Sequence, residues 1–409
     1  MNIGLYTLTS PLHDEASVNA ASASFISEIE SVSGFSFDFR GSDFSDYGSR
    51  DLDLVFVRTG GTEGLFKEVF ELMDGQVYIL TSGKSNSLAA SMEILSFLNQ
   101  EERTGEIIHG SVEYISERIC TLAKVAQARR KLEGIRLGVI GEPSDWLIAS
   151  RADRPAVAAK LGITLVDLPI ADVIAEYENA SSHELDEAAL AVRERFMAAA
   201  PSALHEYADG AFRIYKALKT IIARHKLSGL TLRCFDLLDS VGNTGCLALA
   251  LLNAEGIPAG CEGDVPALMS MAIGNALTGV SGFQANPSRI NPETGEILFA
   301  HCTVPLNMVS RYAFDTHFES GIGIAISGEI LSGDATIFKI SGDLSKAFCT
   351  EAELLRCQSE TSLCRTQAIL RLADRSLCRD YFLTRPVGNH HIVFPGRHKA
   401  LFDAFLATL

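Results

Sequence analysis

The sequence predicts an α/β protein: two Rossmann-like α/β domains followed by a β-rich, barrel-like C-terminal domain. Over the first half of the chain, short apolar runs alternate with amphipathic stretches. Repeated strand and helix in this order indicate parallel sheets with helices on both faces. After residue 229, short strands follow one another with tight turns, a pattern typical of a barrel or a curled antiparallel sheet. We therefore expect three domains, at residues 1–128, 129–228 and 229–409.

The first domain is predicted from three apolar runs and the helical spacing between them. The runs, typical of buried strands, are residues 2–6, 52–57 and 76–80, and the helical segments are residues 17–32, 64–73 and 112–132. Glycine-rich polar loops follow two of these strands, at residues 58–64 and 81–87. Ligands bind at the carboxyl ends of strands in open α/β sheets, so Arg58 and Lys84 are candidates for substrate contact, on this or a neighbouring protomer. Ordinary strand-to-helix turns are the alternative.

ATP binding is excluded for the second of these loops. Gly83-Lys84-Ser85 resembles the end of a phosphate loop, but that motif requires a glycine five residues before Gly83, where Tyr78 stands.

The second domain is predicted to begin with a buried strand at residues 135–141. A further strand is expected at residues 161–167, and long amphipathic helices at residues 184–199 and 202–225. The loop after the first strand contains Trp146, the one tryptophan of the chain. Its indole either stacks on the ring of a ligand or packs between domains.

The last domain is predicted from a series of short apolar runs. The expected strands are residues 230–236, 280–285, 296–303, 322–326, 334–340 and 391–394. Before most of these strands lies the stretch at residues 242–279, whose centre, residues 261–264, stands at the start of an apolar helical run.

Composition limits the class of protein. The 409 residues are 47% hydrophobic, which is enough for full cores in two or three domains. A formal net charge of −16 would repel nucleic acid and anionic membranes. The sequence has no apolar run near the roughly 20 residues that span a bilayer and no basic flank of a signal peptide. We expect a cytoplasmic protein that binds a small molecule, and neither nucleic acid nor membrane.

Two carboxylates mark the candidate site. Glu262 and Asp264 stand beside glycines at the start of an apolar helical run, where acids are costly without a partner. His390 stands far downstream at the edge of another apolar run, and the three side chains together offer the oxygen and nitrogen ligands of a divalent cation. Helix capping alone is the alternative for the acids. His390 and His391 are consecutive on a predicted strand, so only one of them can face such a site.

These segments resemble the L-fucose isomerase family, and more loosely the L-arabinose isomerases, over roughly residues 230–409. The similarity lies in Glu262-Gly263-Asp264, Met269, Met271, Gly274 and residues 277–279, and then in Gly388-Asn389-His390 and Gly396. The resemblance implies that Asp264 and His390 bind a metal ion, expected to be Mn²⁺. It also implies a β-rich final domain, which agrees with the strand pattern.

One position departs from the family pattern. The family has a second acidic ligand, also a candidate proton-transfer base, in a stretch resembling residues 242–246, and here Cys246 stands in its place. Glu262, our preferred candidate, or Asp236 or Asp239 would have to replace that acid, or else the reaction has changed. Cys246 itself is a candidate nucleophile or soft ligand. Its apolar neighbours favour plain packing instead, since burial raises a thiol pKa.

Nine cysteines without a C-x-x-C pair predict neither a zinc knuckle nor a disulfide framework. Two further histidines are candidates for the site. His301 ends a predicted strand and suits proton transfer or a hydrogen bond to a sugar hydroxyl, with a buried structural role as the alternative. His317 stands two residues before Glu319 and is a weaker candidate of the same kind.

The resemblance implies a metal-dependent aldose–ketose isomerase of carbohydrate metabolism, an intramolecular oxidoreductase that works through a cis-enediol. The expected catalytic residues are Glu262, Asp264, His301 and Cys246, and the expected metal ligands are Asp264, His390 and Glu262. The family also implies a homo-oligomer, a trimer or hexamer. The alternatives are another carbohydrate reaction on the same fold, such as that of an epimerase or lyase, and a sugar-binding protein with a decayed active site.

Overall fold

The computed structural model describes residues 2–409, except for the side chain of Glu15. The described chain divides into two compact units between Arg130 and Lys131. Within residues 2–409, no helix combines the length and apolar character needed to cross a membrane.

The first unit is built on a parallel five-stranded sheet in the order β2-β1-β3-β4-β5. Its elements are β1 (Ile3–Leu8), α1 (Glu15–Ser33), β2 (Phe37–Gly41), β3 (Leu52–Val57), α2 (Glu63–Val69), β4 (Val77–Leu80), α3 (Ser87–Gln100), β5 (Gly105–Ile108) and α4 (Val112–Leu132).

Alternate residues of the central strand β3 face two separate hydrophobic clusters. Leu54 and Phe56 pack with residues of α1 and α4, and Val55 and Val57 pack with residues of α2 and α3. Helices therefore cover both faces of the sheet, as the alternating pattern predicts.

The second unit begins with a parallel four-stranded sheet in the order β7-β6-β8-β9. Its elements are β6 (Arg136–Ile140), α5 (Arg154–Leu161), β7 (Thr164–Leu168), α6 (Ile170–Asn179), α7 (Glu187–Ala199), α8 (His205–His225), β8 (Gly229–Leu232), α9 (Asp236–Val241), α10 (Cys246–Ala254), β9 (Ala259–Cys261) and α11 (Val265–Thr278). This sheet takes strands from both sides of residue 229.

A closed barrel of six antiparallel strands follows, in the order β10-β11-β16-β15-β14-β17. A two-stranded antiparallel hairpin, β12-β13, accompanies it. The elements are β10 (Phe283–Asn291), β11 (Glu296–His301), β12 (Val309–Asp315), β13 (Ala325–Ile330), β14 (Gly333–Ile340), β15 (Ala347–Gln358), β16 (Thr366–Leu372), β17 (His391–Pro395) and α12 (Lys399–Leu406). The barrel confirms the prediction of a β-rich, barrel-like C-terminal region.

One hydrophobic core runs from the four-stranded sheet through α8 and α10 into the barrel. Helix α11 joins the two parts. Its Gly274 lies so close to the ring of Phe394 on β17 that an added Cβ would overlap the ring. This close approach holds α11 against the barrel, and the candidate site lies at the start of the same helix.

The strands predicted at residues 280–285 and 322–326 are β10 and β13, which begin later and run to Asn291 and Ile330. In two other predicted strands, one end lies in a helix. The strand expected at residues 230–236 stops at Leu232, because Asp236 begins α9 and its carboxylate accepts a hydrogen bond from Arg233. The strand expected at residues 161–167 begins only at Thr164. Leu161 is instead the last residue of α5, which Gly162 ends in a left-handed conformation, a common helix terminator.

Candidate metal centre

The turn between β9 and α11 holds Glu262 in an uncommon backbone conformation. Its φ is +63° and that of Gly263 is +70°, a region that costs a residue with a side chain about 1–2 kcal/mol. Main-chain contacts hold the turn. The amide of Ser144 donates to the Glu262 carbonyl at 2.9 Å, and an added Cβ on Gly263 would lie 2.6 Å from the Glu142 carbonyl oxygen. Strain of this kind is typical of functional sites.

The Glu262 carboxylate lies between three ring nitrogens. Oε2 accepts a hydrogen bond of 2.7 Å from Nε1 of Trp146. Oε1 lies 3.5 Å from Nε2 of His390 and 3.8 Å from Nε2 of His301. Glu262, His301 and His390 form a group whose ligand atoms all lie within 4.8 Å of one another. One carboxylate oxygen and two imidazole nitrogens thus face a common point.

His390 precedes β17 and is completely buried. Its Nδ1 lies 2.8 Å from Oδ2 of Asp264, and its Nε2 has no hydrogen-bond partner among residues 2–409. A carboxylate on one ring nitrogen fixes the orientation and tautomer of a histidine whose other nitrogen binds a metal. The ring is therefore aimed by Asp264 toward Glu262.

Asp264 is buried at the N-terminus of α11. Oδ1 accepts a hydrogen bond of 2.8 Å from the amide of Ala267 and so caps the helix. Nζ of Lys339, on β14 and 1% exposed, lies 3.4 Å from both carboxylate oxygens. Burial raises the pKa of Asp264, but Lys339 and His390 outweigh it and hold the value at about 2. Asp264 is an ionised carboxylate with three partners.

The two acids also control the charge of His390. Burial alone would lower its pKa, yet the carboxylates of Asp264 and Glu262 raise it to about 9. In turn, burial raises the pKa of Glu262, and the imidazoles of His301 and His390 that face its carboxylate lower it well below its usual range. The same negative field that retains a proton on His390 attracts a metal cation.

His301, the last residue of β11, completes the group. Its Nδ1 lies 3.0 Å from Oγ1 of Thr303, which leaves Nε2 facing Glu262. The ring packs edge-on against that of His390, with centroids 5.3 Å apart. His301 and His390 are thus held at a fixed angle, each by a partner on Nδ1.

The neighbouring His391 serves a different site, as the strand alternation predicts. Its Nε2 lies 2.8 Å from Oη of Tyr381, and its Nδ1 lies 2.9 Å from the Asn389 carbonyl oxygen. Burial lowers its pKa to about 3. A neutral His391 therefore packs in the barrel interior.

The structure brings together four of the predicted site residues, Glu262, Asp264, His301 and His390. Cys246 is not a member of the metal-ligand group. It begins α10 and packs with Cys302 and Ala325 in an apolar cluster, and hydrogen bonding with Cys302 and burial raise the pKa of its thiol. A cysteine at this position raises a doubt about isomerase chemistry. The packing of Cys246 does not support that doubt.

The other predicted candidates have different environments. Asp236 pairs with Arg233, and Asp239 is exposed on α9. The Nδ1 of His317 lies 3.0 Å from Oγ of Ser320, and its ring packs edge-on against Phe235. Among the acids considered as a replacement, Glu262 is the one in the metal-ligand group.

Sequence reasoning missed the contacts of Trp146 and Lys339. Trp146 is 54% exposed, contacts Phe235 through its ring and donates to Glu262 through its N–H. The sequence does indicate that Lys339 is unusual, because it is the single cation in the apolar strand β14, between Phe338 and Ile340. A lysine in such a position requires a buried acid.

The geometry defines the kind of site: a candidate metal centre of one carboxylate and two imidazoles. It lies beside the carboxyl ends of the strands of a parallel sheet. No family model matches the chain. Its distant homologues are sugar isomerases by name.

Three curated relatives are named sulfoquinovose isomerase. The chain is 24% identical to that of Alkalicoccus urumqiensis over 277 residues, 65% of this chain and 59% of the relative. It is 25% identical to that of Clostridium sp. (strain MSTE9) over 213 residues, 51% of this chain and 46% of the relative. For the protein of Priestia aryabhattai the identity is 22% over 276 residues, 63% and 59% of the two chains. The chain thus spans about half the length of the curated relatives it matches.

These names agree with the predicted enzyme class, a sugar isomerase. The closer likeness to L-fucose isomerase remains a resemblance.

Proposed function

We propose that this chain carries the active site of a metal-dependent aldose–ketose isomerase that acts on a sugar. The proposal rests on one observation. Nε2 of His390 is buried, has no hydrogen-bond partner among the described residues and faces Oε1 of Glu262. A buried polar atom without a partner lowers the stability of the fold unless a ligand supplies the missing partner. The names of the distant homologues support the same class of reaction.

The donor set fits a divalent transition metal. Glu262, His301 and His390 supply one oxygen and two nitrogens within reach of one ion, and such mixed sets suit Mn²⁺ and its neighbours in the series. Asp264, a predicted ligand, is assigned the role of orienting His390 through Nδ1. When bound, the ion would supply Lewis acidity to the carbonyl of an open-chain sugar.

We assign the proton transfer to residues of this chain. Glu262 is our candidate for the base that moves the proton between the two reacting carbons, since its carboxylate is ionised at neutral pH and lies at the centre of the group. Lys339 pairs with Asp264, so that Glu262 is the carboxylate left to face the two imidazoles. His301 and His390, each fixed through Nδ1, hold the opposite side of the site.

The substrate class follows from the relatives. Because the relatives are named sulfoquinovose isomerase, this sulfonated hexose is the first substrate to test, together with neutral aldoses and ketoses. The proposed reaction itself requires a carbonyl with an adjacent hydroxyl.

The test is an isomerisation assay in D₂O with the Mn²⁺-loaded protein, followed by NMR. We expect aldose and ketose to interconvert with deuterium incorporated at the carbon next to the carbonyl, and both signals to vanish in Glu262→Gln. Epimerised or cleaved products would assign the site to a different carbohydrate reaction. A metal-loaded protein that changes none of these sugars would contradict the proposal.

A further inference from the structure

The loop after β6 is fastened to the turn that carries Glu262. Beside the bond from the Ser144 amide to the Glu262 carbonyl, Nη1 of Arg233 donates to the Pro143 carbonyl at 2.9 Å, and Nη2 lies 3.2 Å from Oδ2 of Asp145. The amide of Leu147 donates back to the Ser144 carbonyl at 2.8 Å. These bonds hold the short loop in place on both sides of Trp146.

The Trp146 indole is fixed by two directed contacts and not by burial. Its N–H donates to Oε2 of Glu262 at 2.7 Å, and its ring packs edge-on against Phe235 with centroids 4.8 Å apart. More than half of the side chain remains exposed. A tryptophan kept for packing alone would gain more from being covered.

The bond decides which carboxylate oxygen faces the imidazoles. A glutamate carboxylate rotates about its last torsion with little preference. With Oε2 held by the indole N–H, Oε1 is directed at Nε2 of His390 and Nε2 of His301. Without that donor, Glu262 is free to turn away from them.

We propose that Trp146 is a positioning residue of the metal centre, whose indole N–H holds Glu262 in the orientation that binds the cation. This inference rests on the proposed function. Hydrogen-bond partners of metal ligands typically contribute 10- to 100-fold to metal affinity. Trp146 is the partner of this kind for Glu262, as Asp264 is for His390 and Thr303 for His301.

The first experiment compares Mn²⁺ affinity between variants, using the electron paramagnetic resonance signal of free Mn²⁺. Trp146→Phe keeps an aromatic ring and removes the donor, and we expect its Kd to rise by about 10- to 100-fold. Ile148→Ala is the matched control, since Ile148 lies in the same segment and is 89% exposed; its Kd should not change. Sugar turnover by Trp146→Phe should recover at saturating Mn²⁺, which a merely structural defect would not allow.

The second experiment uses the unmodified chain and does not depend on any variant folding. Because Trp146 is the one tryptophan, its emission reports on this site alone, and paramagnetic Mn²⁺ bound beside its partner carboxylate should quench it. Mn²⁺ that binds the wild type without quenching would overturn the inference, as would equal affinities of wild type and Trp146→Phe. A wild type that binds no Mn²⁺ would overturn the proposed function as well.

Discussion

Nδ1 of His390 lies 2.8 Å from Oδ2 of Asp264, while Nε2 of the same ring lies 3.5 Å from Oε1 of Glu262. One buried imidazole therefore connects an acid that caps α11 with an acid in the strained turn before it. Because Asp264 also contacts Lys339 on β14, the site is assembled where α11 meets the barrel. Its geometry depends on how that helix packs.

The Asp264–Lys339 pair should contribute strongly to stability. Asp264→Asn leaves the Lys339 ammonium buried without a carboxylate, and breaking a buried pair in this way costs about 3–5 kcal/mol. We expect a loss of this size in the free energy of unfolding, measured by urea denaturation. The double variant Asp264→Asn/Lys339→Met removes both charges and should be more stable than Asp264→Asn alone. Equal stabilities of the two variants would show that the pair is not coupled.

Metal binding should raise the melting temperature. A ligand at about 100 times its Kd stabilises the folded state by about 2.7 kcal/mol, so Mn²⁺ should increase Tm and EDTA should reverse the increase. His390→Gln removes the nitrogen that faces Glu262 and should abolish the effect. A Tm that responds equally in wild type and His390→Gln would place any bound Mn²⁺ elsewhere.

Thr303 should matter through the orientation of His301. Its hydroxyl lies 3.0 Å from Nδ1 of that ring, so Thr303→Val should weaken Mn²⁺ binding by about 10-fold or more. Thr303→Ser keeps the hydroxyl and is the matched control, with affinity close to that of the wild type. Calorimetric titration of both variants gives the comparison. Similar losses in the two would mean that affinity depends on packing at this position and not on the hydroxyl.

Cys246 should be dispensable for catalysis. Its thiol is buried and hydrogen-bonded with Cys302, and both effects raise its pKa, so the thiol stays protonated at neutral pH and is a poor nucleophile. We expect Cys246→Ser to retain most isomerase activity, and to lose about 1–3 kcal/mol of stability if the buried hydroxyl is not fully bonded. A folded Cys246→Ser protein without activity would instead identify a catalytic thiol.

The contact between α11 and β17 should be intolerant of a single methyl group. Gly274→Ala drives a Cβ into the Phe394 ring, and overpacking of this kind typically costs 1–3 kcal/mol or more. The control is Gly64→Ala in α2, where the added Cβ meets open space and helix propensity favours alanine by up to about 1 kcal/mol. We therefore expect Gly274→Ala to lower the free energy of unfolding and Gly64→Ala to raise it. A neutral Gly274→Ala would show that α11 can move away from the barrel.

Periodicity predicted the sheets because it is a local property of the chain. The apolar runs of β1, β3 and β6 alternate with amphipathic helices, and that order alone indicates parallel sheets. The barrel was expected from its short strands, although β15 and β16, which complete its closure, were not recognised. Strand order is set by contacts between distant residues and is not visible in a local pattern.

The candidate site was predictable only in part. Glu262, Asp264 and His390 stood out because acids and histidines beside apolar runs need partners. The bond from Trp146 to Glu262 spans 116 residues and the contact from Lys339 to Asp264 spans 75, so neither pairing can be derived from spacing. The contact of Asp264 with Nδ1 of His390, and not with the cluster of ligand atoms, likewise depends on packing between α11 and the barrel.

The metal centre is tested most directly by the Mn²⁺ binding stoichiometry of the metal-stripped protein, measured for the wild type and for Glu262→Gln. We expect one site per wild-type chain that is lost in the variant. No binding by the wild type, or binding unaffected by the substitution, would contradict the metal centre and with it the isomerase proposal.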